Sequence, residues 1–132
     1  MRRPTALLAF LLALPPAAQA ATDPIDAAMQ SCLDTKVSTL EMTDCIQTAD
    51  RKWDDRLNRV YGRLMKSLDP ASRAQLVTAQ RAWLDYRTKD IAFAGGPWRQ
   101  STGTLAQITI ASARLEELRA RVHTLETYET GD

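Results

Sequence analysis

The chain has 132 residues, of which 45% are hydrophobic and 25% are charged, and its formal net charge at pH 7 is +1. This length allows one domain, and the near-neutral charge provides no global field that would attract nucleic acid or anionic lipid. A zinc site needs about four ligands, whereas the chain has one histidine and two cysteines, so we expect neither a metal nor another cofactor.

The N-terminus has the features of an export signal. Two early arginines precede an unbroken apolar run at residues 6–14, and residues 18–20 have the small-x-small pattern that a signal peptidase reads. The run is far shorter than the roughly 20 residues of a membrane span. We therefore predict a cleaved signal peptide at residues 1–20 and a mature domain at residues 21–132. The location should be periplasmic or secreted, since no cysteine near the cleavage point offers a lipid anchor.

Three sequence signals mark where helices begin. Asp23-Pro24 places an N-cap residue before proline at the first helical position, and Asp69-Pro70 does the same for a third helix. Ser38-Thr39-Leu40-Glu41 matches a capping box and begins a long second helix that runs to about Leu68. Gly62 lies inside this helix at a cost of about 1 kcal/mol relative to alanine, which suggests that another helix approaches closely there.

The charges of the second helix follow its macrodipole, with acidic residues early and basic residues late. An anionic-ligand patch and a solvated face both account for the basic cluster, and the second interpretation is favoured. The members of this cluster are Arg56, Arg59, Arg63 and Lys66.

The two cysteines of an exported chain point to a disulfide rather than to a metal site. Cys32 falls at the end of the first helix and Cys45 in the first turns of the second. A bond between them would close a short loop and stabilise the fold by about 3 kcal/mol in the chain-entropy model. The spacing is not that of a Cys-x-x-Cys redox pair, so the predicted role is structural.

The second and third helices are predicted to be antiparallel neighbours that share a seam containing polar residues. If the turn is centred on Asp69-Pro70, residues equally far on either side face each other. Because buried polar groups need partners, we predict an Asp54–Arg87 ion pair and an Asn58–Gln80 hydrogen bond, which would fix the helix register. The predicted structural polar network comprises Asp54, Asn58, Tyr61, Gln80, Trp83 and Arg87.

One long loop, at residues 94–103, follows the third helix and contains glycines and a proline. It places Trp98 beside Arg99, two residue types that are common in binding hot spots. Either Trp98 is exposed to a partner or it folds back over the end of the bundle, and the sequence leaves both possibilities open. A fourth helix is predicted from about residue 104 to 127, with His123 at the surface and a frayed tail from Tyr128.

The residues needed for catalysis are missing. A lone histidine with no spare cysteine provides no nucleophile–base pair. Adjacent carboxylates such as Asp54 and Asp55 point about 100° apart on a helix, so they cannot flank a substrate bond. Gly95-Gly96 is followed by proline and lacks the lysine of a phosphate-binding loop. We therefore predict that the protein is not an enzyme.

One set of motifs spans the first three helices: Cys32, Glu41-Met42, Cys45, Asp54-x-x-Leu57-Asn58-x-Val60-Tyr61 and Ala79-Gln80-Arg81-Ala82-Trp83-Leu84-x-Tyr86-Arg87. In these motifs the chain resembles the lysozyme-inhibitor LprI-like N-terminal domain family. The resemblance covers nearly all of the mature chain. It implies a small exported helical domain with a disulfide, and one branch of the family is associated with lysozyme inhibition. The predicted fold is thus all-α, a small antiparallel bundle of about four helices with one disulfide.

The chain departs from the family pattern in one respect. Similar members carry a second cysteine pair, after the Arg87 position and early in the last helix. Those places hold Ile91 and Ile108 here, which suggests a contact that is kept without the covalent bond. The departure bears on the loop between the third and fourth helices, because relatives hold that loop with the second bond.

Two functions follow as hypotheses. The first is inhibition of a lysozyme-type muramidase, whose cleft contains two carboxylates that a basic residue flanked by an aromatic one would fit. The candidate residues are Trp98 and Arg99, with Lys36 in the other loop second. The alternative is a non-enzymatic cell-envelope module, structural or interacting, whose partner is a different protein or peptidoglycan.

Overall fold

A computed structural model of the chain describes residues 22–99 and 103–131. Its four α-helices confirm the predicted all-α fold, and these residues contain no strand. The predicted signal peptide at residues 1–20 lies outside this range. The helices are α1 (Pro24–Leu33), α2 (Thr39–Ser67), α3 (Pro70–Ala94) and α4 (Leu105–Thr130), with a single 3-10 turn at Pro97–Arg99.

The three predicted helix starts are confirmed by their caps. The Asp23 carboxylate accepts a hydrogen bond from the Ile25 amide at 2.9 Å, and Asp69 accepts from the amides of residues 71 and 72. Ser38 Oγ accepts from the Glu41 amide at 3.3 Å and donates to the Glu41 carboxylate at 2.6 Å. Each cap satisfies amides that have no partner within the first turn of the helix.

The end of α4 differs from the prediction. The helix continues to Thr130, so residues 128–130, which were predicted to be frayed, are helical. It stops at Gly131, whose φ of 73° lies in the left-handed region that glycine adopts without a steric penalty.

The core lies mainly between α2 and α4. Trp53 of α2 is completely buried, and Leu118, Val122 and Leu125 of α4 are equally inaccessible. Side chains at three- and four-residue steps share one face of a helix, and this spacing gives each helix a continuous apolar stripe. The α2 stripe is Ile46, Ala49, Trp53, Leu57, Val60 and Leu64.

α2 and α4 run in the same direction. Asp50 and Arg114 line one surface cavity, Arg56 bonds to Glu126, and further along both helices an arginine of α2 bonds to Glu129. Positions that increase along α2 therefore meet positions that increase along α4. Since α2 begins where the α1–α2 loop ends and α4 begins where the α3–α4 loop ends, both loops lie at the same end of the bundle.

The predicted disulfide is confirmed, and it fixes α1 against α2. Cys32 and Cys45 are bonded with their Cα atoms 5.8 Å apart. At the other end of α1, the Asp26 carboxylate accepts hydrogen bonds from the Trp53 indole at 3.0 Å and from Arg119 at 2.9 Å. α1 is thus held at both ends, by a covalent bond and by a carboxylate shared between α2 and α4.

α3 is packed much less than the sequence predicts. Only Leu76 and Gln80 of this helix are buried, and the main partner of α2 is α4 rather than α3. The predicted seam between α2 and α3 is therefore wrong as the main contact. The physical reason is that the apolar residues of α3 do not form one stripe, since Leu84, Tyr86 and others are exposed. Gly62 does not admit a close helix either, because nothing lies within 4 Å of where its Cβ would be.

The basic residues late in α2 are not simply a solvated face. Arg56 forms ion pairs with both Asp23 and Glu126, and Arg63 bonds to Glu129 at 2.7 Å. These pairs connect α2 to the start of α1 and to the end of α4. No helix in the described part of the chain is long and apolar enough to cross a membrane.

Candidate functional site

The end of the bundle that carries residues 34–40 and 93–105 is called the loop end here. Lys36 lies in one of its loops, with its backbone amide bonded to the Leu33 carbonyl at 3.0 Å, and Trp98 and Arg99 lie in the other. The parallel course of α2 and α4 therefore brings all three predicted partner-binding residues to one end of the molecule. Residues 100–102 of the second loop lie outside the described residues.

Trp98 is exposed but fixed in place. Its ring stacks on Phe93 with the centroids 5.1 Å apart and the planes 22° apart, and its indole N–H donates to the Phe93 carbonyl oxygen. The side chain remains 56% exposed, so it is not buried against the bundle end. Of the two possibilities that the sequence leaves open, an accessible tryptophan is the one present.

Arg99 completes a layered arrangement. Its guanidinium carbon lies 4.8 Å from the centroid of the Trp98 ring, which itself stacks on Phe93. A cation over an aromatic face is attracted by the ring quadrupole, and the contact also restricts the arginine side chain. The two aromatic rings and the guanidinium are called the Trp98 stack below.

The loop end also concentrates exposed apolar side chains. In the described part of the chain eight large hydrophobic residues are exposed, and five of them lie here. Exposed apolar side chains commonly mark an interaction site where they form a contiguous patch. The five are Val37, Leu40, Phe93, Trp98 and Leu105.

The predicted Asp54–Arg87 ion pair is wrong. Arg87 Nη2 instead bonds to Asp50 Oδ1 at 3.3 Å, one helical turn earlier on α2. If α2 and α3 pair about a turn centred on Asp69-Pro70, Arg87 lies level with residue 52, which is midway between Asp50 and Asp54. The sequence therefore offers two acidic partners at equal separation, and only the rotation of the packed helices selects between them.

The predicted Asn58–Gln80 hydrogen bond is also wrong. Asn58 donates to Asp54 on its own helix at 3.3 Å, whereas Gln80 Oε1 accepts from Arg121 Nε at 3.0 Å. Arg121 belongs to α4, so a comparison of α2 with α3 alone has no means of finding it. An arginine one turn from the buried Leu118 is the only sequence signal for this contact.

Trp83 and Arg87 anchor α3 to its neighbours. The guanidinium carbons of Arg87 and Arg121 lie 5.5 Å and 5.8 Å from the centroid of the Trp83 ring. Two cations thus contact one tryptophan, and Asp50 neutralises the charge of Arg87. Trp83, Arg87 and Gln80 thus connect α3 to α2 and α4.

The remaining members of the predicted network have a different environment. Asp54, Asn58 and Tyr61 line an open groove of about 360 Å³ between α2 and α3. Gln80 reaches the same groove from α3. These side chains do not bond to one another across the two helices, so the network is divided between an anchored part and a solvent-accessible part.

Tyr86, which belongs to the same sequence motif, lies outside this groove and is 56% exposed. The negative charges of Asp90 and Glu117 raise the pKa of its phenol above the ordinary value of 10.0. The hydroxyl therefore stays protonated at neutral pH and acts as a hydrogen-bond donor rather than as a base. Across residues 22–99 and 103–131, no group of three His, Cys, Asp or Glu side chains is arranged to hold a metal ion.

Comparison with known proteins places the fold and the family. A crystal structure of an uncharacterised protein from Burkholderia thailandensis is similar, with 28% sequence identity and a TM-score of 0.71. The similarity covers 80% of this chain and 53% of that one, so the chain spans about half the length of the Burkholderia protein. No curated protein matches the chain. The family described as lysozyme inhibitor LprI matches residues 30–125, which is more than half of the chain, and the protein therefore belongs to the LprI family.

Proposed function

We propose that the protein is exported to the periplasm and inhibits a lysozyme-type muramidase without being an enzyme itself. The description of its family as lysozyme inhibitors supports this function. The observation that carries the proposal is the Trp98 stack, in which an exposed tryptophan contacts the half-buried Arg99 at the end of the molecule where exposed apolar side chains concentrate.

The chemistry of the target explains why such a stack is suitable. Lysozyme-type enzymes cleave the glycosidic bond with two carboxyl groups in an elongated cleft. A guanidinium binds a carboxylate through two parallel hydrogen bonds, and an aromatic ring fills the space that a sugar ring would occupy. Arg99 and Trp98 supply these two groups side by side, and Lys36 adds a second cation at the same end.

The fixed position of Trp98 also favours tight binding. Its stacking on Phe93 and its hydrogen bond to the Phe93 carbonyl restrict the ring before any partner arrives. A side chain that is already ordered loses less conformational entropy when it binds. Hot spots of protein interfaces are commonly ordered tryptophan and arginine residues of this kind.

The test is inhibition of several lysozymes, measured as clearing of a bacterial cell-wall suspension. The wild-type protein should inhibit at least one enzyme at micromolar concentration, and Trp98→Ala should weaken inhibition about 30-fold, as for a hot spot worth about 2 kcal/mol. Tyr128→Ala is the matched control, because Tyr128 is also an aromatic residue with 56% exposure but lies at the opposite end. Equal inhibition by wild type and Trp98→Ala would reject the stack as the binding element.

A non-enzymatic envelope module with a different partner is the second candidate. It is supported by the Burkholderia protein, in which a similar fold accounts for about half of a longer chain, as expected of a module. Failure to inhibit any lysozyme, combined with cosedimentation with purified peptidoglycan, would favour this candidate. Inhibition without cosedimentation would exclude peptidoglycan as the partner.

A further inference from the structure

The groove between α2 and α3 is separate from the loop end and has no role in the proposed inhibition. Of the α2 residues that line the groove, Asp54 lies closest to the loop end. It is about four turns beyond the start of α2, which is roughly 22 Å along the helix. The groove volume of about 360 Å³ falls within the roughly 300–1,000 Å³ of small-molecule sites in proteins.

The floor of the groove is aliphatic. Leu57 is buried, Val77 is half-buried, and Leu84 is 46% exposed although it is a large hydrophobic residue in the middle of a helix. An exposed leucine at the floor of a groove gains free energy when a ligand covers it with apolar groups. The groove therefore favours a ligand that carries a small aliphatic group.

Gln80 provides a hydrogen-bond donor whose orientation is fixed. Gln80 as a whole residue is 8% exposed, and its Oε1 accepts from Arg121 Nε at 3.0 Å. A guanidinium can only donate, so the carbonyl end of the amide must face Arg121. The amide nitrogen Nε2 forms no hydrogen bond with any residue that the structure describes, and Gln80 lines the groove. Nε2 is not one of the buried side-chain atoms that lack a partner, so it is open to the groove and can donate to an acceptor that enters there.

The rim of the groove carries one anion and one cation. Within residues 22–99 and 103–131, the Asp54 carboxylate accepts only from Asn58, at 3.3 Å, and Arg81 is exposed and forms no ion pair. α3 runs antiparallel to α2, so Arg81 lies about level with Asn58, one turn from Asp54. A ligand in the groove can therefore contact a negative and a positive group at the same time.

The length of the groove limits the size of its ligand. Asp54 and Tyr61 are seven positions apart on α2, which is roughly 10 Å along the helix. An extended peptide advances roughly 3.3 Å per residue, so this distance corresponds to about three residues.

We propose that this groove binds a short extended peptide with a free terminal carboxylate. The carboxylate pairs with Arg81, a main-chain carbonyl accepts from Gln80 Nε2, and an ammonium or N–H group donates to Asp54. A small aliphatic side chain of the peptide lies on the leucine floor. A neutral saccharide fits less well, because it would desolvate the anion and the cation on the rim without supplying a counter-charge to either.

The experiment uses the full protein, labelled with nitrogen-15 and purified with its disulfide formed. Trialanine is titrated while backbone and side-chain amide signals are followed by NMR. We expect saturable shifts centred on Asn58 and Gln80 at millimolar peptide or below. Trialanine that is acetylated and amidated at its ends should bind about tenfold more weakly, since it lacks both charges.

Arg81→Gln should also weaken trialanine binding about tenfold, whereas Arg59→Gln should not, because Arg59 is exposed on α2 but does not line the groove. Thermal unfolding of both variants verifies that they are folded. The proposal is refuted if the groove signals do not shift at about 10 mM trialanine, a concentration at which even weak sites are occupied. Equal binding of the capped peptide would refute it too, and so would shifts that appear only with tri-N-acetylchitotriose.

Discussion

Replacing Asp50 and Asp54 separately by asparagine tests which carboxylate holds α3. Asp50→Asn removes the anion that faces Arg87, while Asp54→Asn removes a carboxylate whose only hydrogen bond in the described part of the chain comes from Asn58 on the same helix. Both positions are inside α2 and both changes are the same, so differences in helix propensity cancel. The structure predicts that Asp50→Asn destabilises the fold and that Asp54→Asn does so very little.

The expected magnitude follows from the environment of the pair. The side chains of Arg87 and Asp50 are 14% and 26% exposed, so the pair lies between a surface ion pair, worth about 0–1 kcal/mol, and a buried one, whose breakage costs about 3–5 kcal/mol. Arg87 Nε is buried without a partner among the described residues, so loss of Asp50 leaves the guanidinium with no carboxylate. We expect a loss of about 1–2 kcal/mol for Asp50→Asn and at most about 0.5 kcal/mol for Asp54→Asn.

Thermal and urea unfolding, followed by circular dichroism at 222 nm, measure these differences. A loss of 1 kcal/mol lowers the Tm of a domain of this size by about 4 °C or more, so Asp50→Asn should melt clearly below wild type. Equal Tm values for the two variants, or a larger loss for Asp54→Asn, would refute the assignment of Asp50 as the partner of Arg87.

Two further predictions concern the attachment of α1. Reduction of the Cys32–Cys45 bond, or Cys32→Ser with Cys45→Ser, should lower the free energy of unfolding by about 3 kcal/mol, measured by urea unfolding with and without reductant; an unchanged midpoint would contradict this. Burial opposes ionisation of Asp23, but hydrogen bonds from the Ile25 amide and from Arg56 outweigh it and hold the pKa of the Asp23 carboxyl below 3.8. The stabilisation that Asp23 provides is therefore complete above pH 3.8 and is lost as the pH falls through the lower folded-state pKa. Asp23→Asn should remove this part of the acid dependence in stability measured from pH 2 to 7, and identical pH profiles would show that the carboxylate does not provide it.

Local signals in the sequence were sufficient to predict where the first three helices begin. Asp23, Ser38 and Asp69 each precede a helix and satisfy its free amides, so a few consecutive residues determine where each of these helices begins. The disulfide could also be predicted, because a chain with two cysteines and a predicted export signal has one bond to form. The end of α4 was predicted three residues too early, at Thr127, whereas Gly131 is the residue that stops the helix.

The tertiary structure decided which helix is the partner of which. Arg87 has two acidic candidates one turn apart on α2, and the rotation of the packed helices selects Asp50. Gln80 bonds to Arg121 of α4, a helix that follows more than twenty residues later and cannot be placed by comparing α2 with α3. Helix starts depend on bonds within one turn, whereas these contacts depend on how three helices share one core. That packing also set α2 parallel to α4, brought Lys36 and Trp98 to one end, and left Asp54 and Asn58 facing an open groove.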